Sequence, residues 1–419
     1  MLSFNAIRDR EQPMTTDLDP RETRSHDERE IALLQALQHT FVEAHKHSAH
    51  YAKTLDGFEV DHLTSRTALA ALPVLRKSDL MAAQEAAPPF GGLGTQAPDA
   101  MARVFLSPGP IAEPQGAEGD VWRFSRALRA AGFAQGDIAH NCFSYHLTPA
   151  GFMFDAAARA LGCAVFPGGI GNTEQQALAM QRYGATAYAG TPDFLKIILE
   201  KAEENGAPVT SIKKMSVGGG PLFPDLRAWY EDRGISCLQN YGTADVGLIA
   251  YETPAKEGLI LDEDVLVEIV RPGTGDPVPD GEVGEVVVTV FDPAYPLIRF
   301  ATGDLSAVLS GSCPTGRTNT RLKGWMGRAD QTTKVKGMFV HPEQIARVAK
   351  KHGLEKVRLE VTEAEGRDSM TLICEGAGDA DAVAATLQSE SRLKGEVCFV
   401  AAGALPNDGK VIDDQRAMA

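Results

Sequence analysis

The segment "DIAHNCFSYHLTPAGFMFDAAARALGCAVFPGG", residues 137–169, decides the fold, because it predicts a strand, a helix and a second strand in succession. The apolar runs at residues 137–145 and 163–169 are typical of short buried strands, and the Ala-rich stretch between them is typical of a helix. Two strands joined through a helix lie parallel in one sheet. The segment therefore predicts a largely parallel α/β sheet.

The same alternation continues to about residue 245. Further strands are predicted at residues 185–190, 212–217 and 235–242, and a helix is predicted between Thr191 as N-cap and Gly206 as its end. Ligands of such sheets bind where strands end and the chain turns into a loop. The loops that matter are therefore "PGGIGNTE" (167–174), "VGGGPLFP" (217–224) and "NYGTADVG" (240–247).

The flanking regions have different patterns. Ser25 is a predicted N-cap for a first helix with apolar positions Ile31, Leu34, Leu37 and Phe41. After residue 258 the chain is rich in predicted β-hairpins, and from Asp330 a smaller α+β pattern follows. We therefore expect a disordered tail over residues 1–20, a large domain over 21–329 and a small domain over 330–419.

Composition limits the class of protein. The 419 residues contain 41 Lys and Arg against 56 Asp and Glu, a net charge of -15 that repels nucleic acid and anionic lipid. The six cysteines form no CxxC pair, which argues against structural zinc and a disulfide framework. No signal pattern or membrane-length apolar run is visible. We expect a soluble cytoplasmic protein without a nucleic-acid or membrane partner; a homodimer is compatible with the sequence, which leaves the oligomeric state open.

The stretch "LSPGPIAEP", residues 106–114, resembles a phosphate cradle in part only. Ser107 and Gly109 suit such a loop, whereas three prolines remove backbone donors and Glu113 has the wrong charge. Taken alone, the stretch is typical of a surface turn.

Five other motifs follow in order along the chain. They are "VGGGP" (217–221), "NYGTADVG" (240–247), "RFATGD" (299–304) and "GRADQTTKVKG" (327–337), and "LPNDGK" (405–410) comes last. Asp304 at the end of "RFATGD" is suited to accept hydrogen bonds from the two hydroxyls of a ribose. Each motif alone could be a turn or a solvated charge, but their order together is hard to attribute to chance.

This order resembles the adenylate-forming superfamily of acyl- and aryl-coenzyme A ligases, and within it the phenylacetate–coenzyme A ligase branch. The resemblance covers nearly the whole chain from about Asp19 and includes "ETRSHDERE" at the start, residues 141–176, "PLIRFATGDL", "GRADQTTKVKGMFVHPEQI" and "LPNDGK". It implies a large AMP-binding domain, formed by a mostly parallel sheet with helices and a β-rich subdomain, and a small mobile α+β domain. It also implies that a small carboxylic acid reacts with ATP to give an acyl-adenylate, and that coenzyme A then displaces AMP, with Mg²⁺ as cofactor.

The resemblance assigns roles residue by residue. The implied nucleotide-binding residues are Ser107, Gly109, Gly218, Gly219, Gly220, Pro221, Tyr241, Gly242, Thr243, Asp304 and Arg328. The implied acyl pocket is formed by Phe143, Tyr145 and Tyr241, although packing of a strand end explains Phe143 and Tyr145 equally well. Lys410 is the implied catalytic lysine, Asp330 the hinge and Asp245 the Mg²⁺ carboxylate. The implied coenzyme A side is formed by Lys334, Lys336 and Gly337.

Two positions depart from the family pattern. Ala244 stands where the family usually has Ser or Thr, so one hydroxyl contact to the α-phosphate is missing unless Thr243 substitutes. Glu113 replaces the lysine of the phosphate loop. A carboxylate about 4 Å from a phosphate charge costs about 4 kcal/mol at an effective dielectric constant of 20. We expect Glu113 to point away from the phosphates, with backbone contacts from the Ser107 and Gly109 region; the alternative is that Mg²⁺ or Arg103 offsets its charge.

The altered loop leaves three functions open. The first is an ATP-dependent acyl- or aryl-coenzyme A ligase with a divergent phosphate loop. The second is an acyltransferase that uses an adenylate but passes the acyl group to another acceptor, such as a carrier protein. The third is a non-enzymatic protein that binds AMP or an acyl-adenylate. The presence of Asp304, Arg328 and Lys410 favours an enzyme, and we expect ATP to bind more weakly than in the relatives while AMP binds comparatively well.

Overall fold

The computed structural model describes residues 18–107, 110–329, 331, 333–336, 338–364, 367–406 and 410–416. Its helices are α1 His26–His47, α2 Ala49–Thr54, α3 Arg66–Ala70, α4 Lys77–Ala86, α5 Ser125–Ala130, α6 Ala150–Ala160, α7 Thr173–Tyr183, α8 Phe194–Glu204, α9 Pro224–Glu231, α10 Pro342–His352 and α11 Ala380–Ser391. Strands β1 to β10 are Leu75–Arg76, Arg103–Ser107, Ile111–Gln115, Ile138–Asn141, Ala164–Pro167, Ala187–Gly190, Lys214–Val217, Ser236–Thr243, Gly247–Glu252 and Leu259–Leu261. Strands β11 to β21 are Val265–Val270, Gly284–Val290, Leu297–Ser306, Val308–Leu309, Arg321–Leu322, Thr333–Val335, Met338–Val340, Val357–Ala364, Arg367–Glu375, Glu396–Val400 and Ile412–Asp414.

A nine-stranded sheet forms the centre of the large N-terminal part. Its order is β14-β15-β10-β9-β8-β7-β6-β4-β5. Strands β4 to β8 pair in parallel, which confirms the α/β prediction made from residues 137–242, and β9 continues the sheet antiparallel to β8. Apolar clusters cover the parallel strands on both sides. The loops after these strands consequently open at one edge of the sheet.

A second sheet carries the long strand β13. Its order is β1-β13-β12-β11, and it packs with helix α1 and neighbouring helices around a large apolar core. Strands β2 and β3 form a separate hairpin, in which Ser107 pairs with Ile111. The segment predicted as a surface turn is therefore the end of a regular β-hairpin, whose residues 108–109 lie outside the described part of the chain.

Two details of the predicted helices need correction. Ser25 caps α1 through a capping box with Glu28, as the sequence predicts, but Ile31 is 58% exposed and does not belong to the buried face. Helix α8 begins at Phe194 with Asp193 as N-cap, so the prediction of Thr191 as N-cap is wrong. The carbonyl of Thr191 accepts a hydrogen bond from the Tyr188 hydroxyl instead, within the turn that precedes the helix.

The C-terminal part has its own sheet and core. Strands β20-β19-β18-β21 form a four-stranded sheet, and α10 and α11 contact each other beside it. Its apolar cluster extends from Val335 to Ile412. The hinge residue Asp330 lies outside the described residues, so the predicted domain boundaries stay predictions. None of the helices in the described ranges combines the length and the apolar character that a bilayer crossing requires.

Candidate nucleotide and acyl site

The loops that follow the parallel strands enclose a cavity of about 540 Å³. Its lining comes from residues 219–222 after β7, 239–242 in β8, Asp304 in β13 and residues 323–325. Of the predicted nucleotide-binding residues, Gly219, Gly220, Pro221, Tyr241 and Gly242 therefore lie together with Asp304. Four segments of the chain meet here, beside the ends of the parallel strands β7 and β8.

Asp304 is the polar centre of this cavity. It is buried, and its Oδ2 accepts a hydrogen bond of 3.0 Å from the Tyr241 hydroxyl. Its Oδ1 accepts hydrogen bonds from Arg328 Nη1 at 2.9 Å and from Trp325 Nε1 at 3.1 Å. Burial and the nearby Asp304 charge raise the pKa of Tyr241 well above its ordinary value, so Tyr241 stays a neutral donor. A carboxylate held in this way can exchange donors with the hydroxyls of a ribose.

The glycine loop requires its glycines. A Cβ at Gly218 would collide with Oδ1 of Asn240, whose Nδ2 donates to Ser216 Oγ at 2.9 Å. Gly219 has a φ of +71°, in the left-handed region that favours glycine. The backbone of this loop can therefore approach a flat ligand closely, as the sequence predicts for an adenine-side loop.

The predicted acyl residues lie beside the glycine loop. Phe143 is largely buried and stacks on Phe154 with ring centroids 4.0 Å apart, while a Cβ on Gly219 would lie 3.7 Å from its ring. The Tyr145 hydroxyl donates to Asp155 Oδ2 at 3.2 Å and accepts from Asn141 Nδ2 at 2.7 Å. Both rings are thus anchored, which fits the core-packing alternative and a pocket wall equally; their role as an acyl pocket stays a prediction.

Polar side chains of the hairpin β2–β3 are hydrogen-bonded to one another. The Ser107 hydroxyl donates to Glu113 Oε1 at 2.8 Å, and both side chains are buried. Arg103, the proposed offset for Glu113, bonds to Gln115 and Glu118 instead. The side-chain hydroxyl of Ser107 is consequently engaged, and Gly109 lies outside the described residues.

Glu113 is unusual because its surroundings disfavour its charge. Burial, with a further contribution from the charge of Asp245, raises the pKa of Glu113 from 4.5 to about 8. Oε2 of Glu113 has no hydrogen-bond partner among the described residues. The carboxyl group therefore lies in the protein interior, where the charge of Asp245 acts on it, a position that the sequence alone does not reveal.

Asp245 forms a contact that the sequence analysis missed. Its buried carboxylate accepts a hydrogen bond of 3.1 Å from Lys77 Nζ through Oδ2, and within the described residues its Oδ1 has no partner. Nearby, the Thr243 hydroxyl accepts a bond of 3.3 Å from the backbone N–H of Val246. The basic pair "RK" at residues 76–77, where α4 begins, was the available signal for Lys77.

Lys410 lies away from the Asp304 cavity. Its ammonium donates to Asp413 Oδ1 at 2.7 Å, and its side chain lines a cavity of about 250 Å³ between α10 and the segment 271–276. Of the coenzyme A residues, Lys336 is exposed and its backbone N–H bonds to Asp368, whereas Gly337 lies outside the described residues and the Lys334 side chain is not described. The structure therefore places Lys410 at a different cavity from Asp304.

Comparison with known proteins gives a consistent result. Residues 144–290 match the family model described as AMP-binding enzyme. The phenylacetate-coenzyme A ligase of Aromatoleum evansii is 32% identical over 350 residues, 80% of this chain and 78% of the relative. That of Escherichia coli is 30% identical over 377 residues, 85% and 84% of the two chains. A crystal structure of 2-hydroxyisobutyryl-CoA ligase with 2-HIB-AMP and CoA superposes with a TM-score of 0.71 at 23% identity, covering 92% of this chain and 91% of that one.

Proposed function

Because the chain belongs to the phenylacetate-coenzyme A ligase family of AMP-binding enzymes, we propose that it activates a small aryl or acyl carboxylic acid and transfers it to coenzyme A. The reaction is an ATP-dependent acyl-coenzyme A ligation through an adenylate. The observation that supports this function best is the cavity of about 540 Å³ in which Asp304, Tyr241 and the glycine loop lie together.

In the first half-reaction, a carboxylate oxygen of the acid attacks the α-phosphorus of ATP. The new bond joins that oxygen to phosphorus, and the bond to the bridging oxygen breaks, so pyrophosphate leaves with its electron pair. The acid is already ionised at neutral pH, so this step needs alignment and charge relief but no general base. Asp304 and Tyr241 hold the ribose, and the glycine loop lies along the adenine.

In the second half-reaction, the sulfur of coenzyme A attacks the acyl carbon, the thiol proton goes to solvent, and AMP leaves. We propose that Lys410 supplies positive charge at the α-phosphate in the first half only. Because Lys410 lines a different cavity from Asp304, the small C-terminal part must turn for the first half-reaction. We assign the hinge to Asp330 and the coenzyme A side to Lys334, Lys336 and Gly337.

The phosphates of ATP need cations that the hairpin does not provide. A cavity of about 380 Å³ lies between the first turn of α4 and Arg328, and it is lined by Arg76 and Lys77. Asp79, Glu285 and Glu343 line the same cavity, and each cation is already paired: Arg76 with Glu285, Lys77 with Asp245 and Arg328 with Asp304. The phosphates would share these cations with the carboxylates and would also meet the positive end of the α4 dipole. We place the β- and γ-phosphates there, and not against the Ser107 hydroxyl.

Mg²⁺ is the metal that the family implies, and Asp245 fits it. Its Oδ1 is buried and has no partner among the described residues, and carboxylate oxygen is a ligand that Mg²⁺ prefers. When bound, the metal neutralises phosphate charge. Lys77, on the other oxygen of Asp245, holds that carboxylate in place.

We assign the acyl pocket to Phe143, Tyr145 and Tyr241, whose rings favour an aryl or apolar acid. The six cysteines are all free, which favours a reducing cytoplasm as the location of the protein.

A panel of carboxylic acids tests the function directly. Purified protein is incubated with ATP, Mg²⁺ and each acid, with and without coenzyme A, and pyrophosphate and thioester are measured. We expect pyrophosphate release with at least one aryl or short acyl acid, and thioester only when coenzyme A is present. If AMP raises the melting temperature but no acid releases pyrophosphate, the protein binds nucleotide without catalysing this reaction.

Lys410→Ala tests whether Lys410 acts in the first half-reaction but not in the second. We expect pyrophosphate exchange to fall about 100- to 1000-fold, because a charge that acts on the transition state is lost, while thioester formation from a supplied acyl-adenylate stays within about threefold. Lys350→Ala is the matched control, since Lys350 lines the same cavity as Lys410. Equal pyrophosphate exchange in the Lys410 variant and the wild type would show that Lys410 is an ordinary surface lysine.

A further inference from the structure

Trp325 is an exposed aromatic residue that lines the Asp304 cavity. It is 55% exposed, although it shares the lining of this cavity with Asp304 and the glycine loop. Its indole Nε1 donates a hydrogen bond of 3.1 Å to Asp304 Oδ1. Tryptophan rings are mostly buried in folded proteins, so an indole that lies in water and bonds to a buried carboxylate indicates a role at the site.

The carboxylate of Asp304 has few acceptor sites left for a ligand. A carboxylate offers about four acceptor sites, two on each oxygen. Oδ1 accepts from Arg328 Nη1 at 2.9 Å and from Trp325 Nε1, so both of its sites are used. Oδ2 accepts from the Tyr241 hydroxyl at 3.0 Å. Within the described part of the chain, one acceptor site therefore remains, and it lies on Oδ2.

A ribose needs more than this one site. A nucleotide presents two neighbouring hydroxyl groups to the carboxylate that holds its sugar. One hydroxyl can donate to the remaining site on Oδ2. The neighbouring hydroxyl can donate to Oδ1 only if Arg328 or Trp325 withdraws from that oxygen.

The two donors to Oδ1 differ in how easily they withdraw. The bond from Arg328 joins a guanidinium to a carboxylate, and such charge-assisted bonds are about twice as strong as bonds between neutral groups. The indole of Trp325 is neutral, and its exposed N–H can bond to water instead. Trp325 is therefore the donor that a ribose hydroxyl displaces.

The backbone beside Trp325 is held in place, so rotation of the side chain is enough to release Asp304. The N–H of Met326 bonds to the carbonyl of Leu305 at 2.9 Å, and the carbonyl of Gly324 accepts from the Ser306 hydroxyl at 2.7 Å. A Cβ on Gly324 would meet no atom within 4 Å, which shows open space beside this segment.

We propose that Trp325 is a positioning residue whose indole N–H holds Oδ1 of Asp304 and competes with a ribose hydroxyl for that oxygen. The N–H keeps the carboxylate paired when no nucleotide is bound. It also weakens the binding of AMP, the product that leaves after the second half-reaction. The identity of the ligand rests on the proposed function. A merely structural Trp325 would affect nucleotides with and without ribose hydroxyls equally.

Calorimetry with AMP and 2′,3′-dideoxy-AMP tests the competition, because the dideoxy analogue lacks both hydroxyls. Trp325→Phe keeps an aromatic ring and removes the N–H. We expect this variant to bind AMP about 3- to 10-fold more tightly than wild type, since one competing hydrogen bond is lost. The dissociation constant of the dideoxy analogue should stay within about twofold. Trp229→Phe is the matched control, because Trp229 contacts Arg233 and Lys196 and not the cavity, and its AMP affinity should equal that of wild type.

Tryptophan fluorescence gives a second measurement on the full chain. AMP should change the emission of wild type and of Trp229→Phe but not that of Trp325→Phe. At saturation, the dideoxy analogue should change the wild-type emission much less than AMP does. This wild-type comparison decides the question if melting curves show that Trp325→Phe does not fold.

The outcomes separate the role of Trp325 from the reaction. An unchanged or weaker AMP affinity in Trp325→Phe, or the same change for both nucleotides, would overturn the proposal, as would equal emission changes with both nucleotides in wild type. If thioester forms but Trp325→Phe treats the two nucleotides alike, the inference about Trp325 alone fails. If AMP behaves as expected but no acid yields thioester, the proposed function alone fails.

Discussion

Buried carboxylates occur in two regions of the molecule, and the regions differ in how well those carboxylates are partnered. Around the N-terminal helices and the second sheet, Glu268 accepts two hydrogen bonds from Arg299, and Asp262 is bonded to two arginines. At the hairpin β2–β3, Glu113 and Asp245 each keep an oxygen without a partner among the described residues. Both oxygens of Glu268 and both oxygens of Asp262 are bonded, so the carboxylates of the first region are complete, although the buried Nε of Arg126 beside Asp262 has no partner among the described residues. The carboxylates of the second region are incomplete.

Breaking the complete region should have the largest effect. We expect Arg299→Met to lower the free energy of unfolding by about 3–5 kcal/mol, because Glu268 is left buried without its partner. Arg299 is 1% exposed and also donates to the backbone carbonyls of Ala70, Leu72 and Gly275, so three further acceptors lose their donor. Urea denaturation followed by circular dichroism measures the loss.

A double variant separates the ion pair from the packing around it. With Glu268→Leu added to Arg299→Met, no buried charge remains, and we expect more than half of the lost free energy to return. If Arg299→Met lowered the free energy of unfolding by less than about 1 kcal/mol, the buried pair would stabilise the fold no more than a surface ion pair does. The proposed difference between the two regions would then be wrong.

The incomplete region should instead gain stability when its charge is removed. Burial raises the pKa of Glu113 to about 8, so between pH 4.5 and pH 8 the folded protein holds a proton that the unfolded chain has released. Stability of the metal-free protein should therefore fall as pH rises through this range, by up to about 1.4 kcal/mol per pH unit from this group. The groups that act on the pKa of Glu113 are Asp245, Ser107 and Lys77, and Glu113 acts in turn on the pKa of Tyr295; all four stay unchanged in the test variant.

Glu113→Gln removes the titrating group and keeps its shape. In EDTA, its unfolding free energy should equal that of wild type near pH 4.5 and exceed it increasingly up to pH 8. Glu118→Gln, with an exposed carboxylate, should follow the wild-type curve at every pH. If the unfolding free energies of Glu113→Gln and wild type changed with pH in the same way, ionisation of Glu113 would cost no stability. The carboxylates of the two regions would then be equally well stabilised.

The sequence predicted the parallel sheet well because its strands are short apolar runs between glycines and helices. It failed where burial depends on distant partners. Spacing alone put Ile31 on the buried face of α1, although that face includes Arg29, whose guanidinium bonds to Glu263, 234 residues away in the chain. A charged residue on a buried helix face cannot be recognised until its partner is known.

The candidate site likewise contains residues that the sequence predicted and residues that it did not. The loop around Gly219 and the position of Asp304 were predictable, because motifs at strand ends meet at a sheet edge. Lys77 was missed because its partner Asp245 lies 168 residues away. For Glu113, the sequence predicted a side chain that points away from the phosphates, but it could not predict how deeply that side chain is buried, because burial depends on segments that are distant in the sequence.

The smallest loss of unfolding free energy is expected when an ion pair at the surface is broken, which provides the comparison for the buried pair. Arg347 Nε lies 2.7 Å from Glu390 Oε2, shorter than the 3.0 Å between Arg299 Nε and Glu268 Oε2, but the Arg347 side chain is 55% exposed and the Arg299 side chain 2%. If distance decided the energy, Arg347→Met would be the more damaging change. We expect it to cost less than about 0.5 kcal/mol, because water screens the pair and neither charge is stranded in the interior when the other is removed. Urea denaturation under the conditions used for Arg299→Met measures both on one scale, and a cost for Arg347→Met within twofold of that for Arg299→Met would refute burial as the cause of the difference.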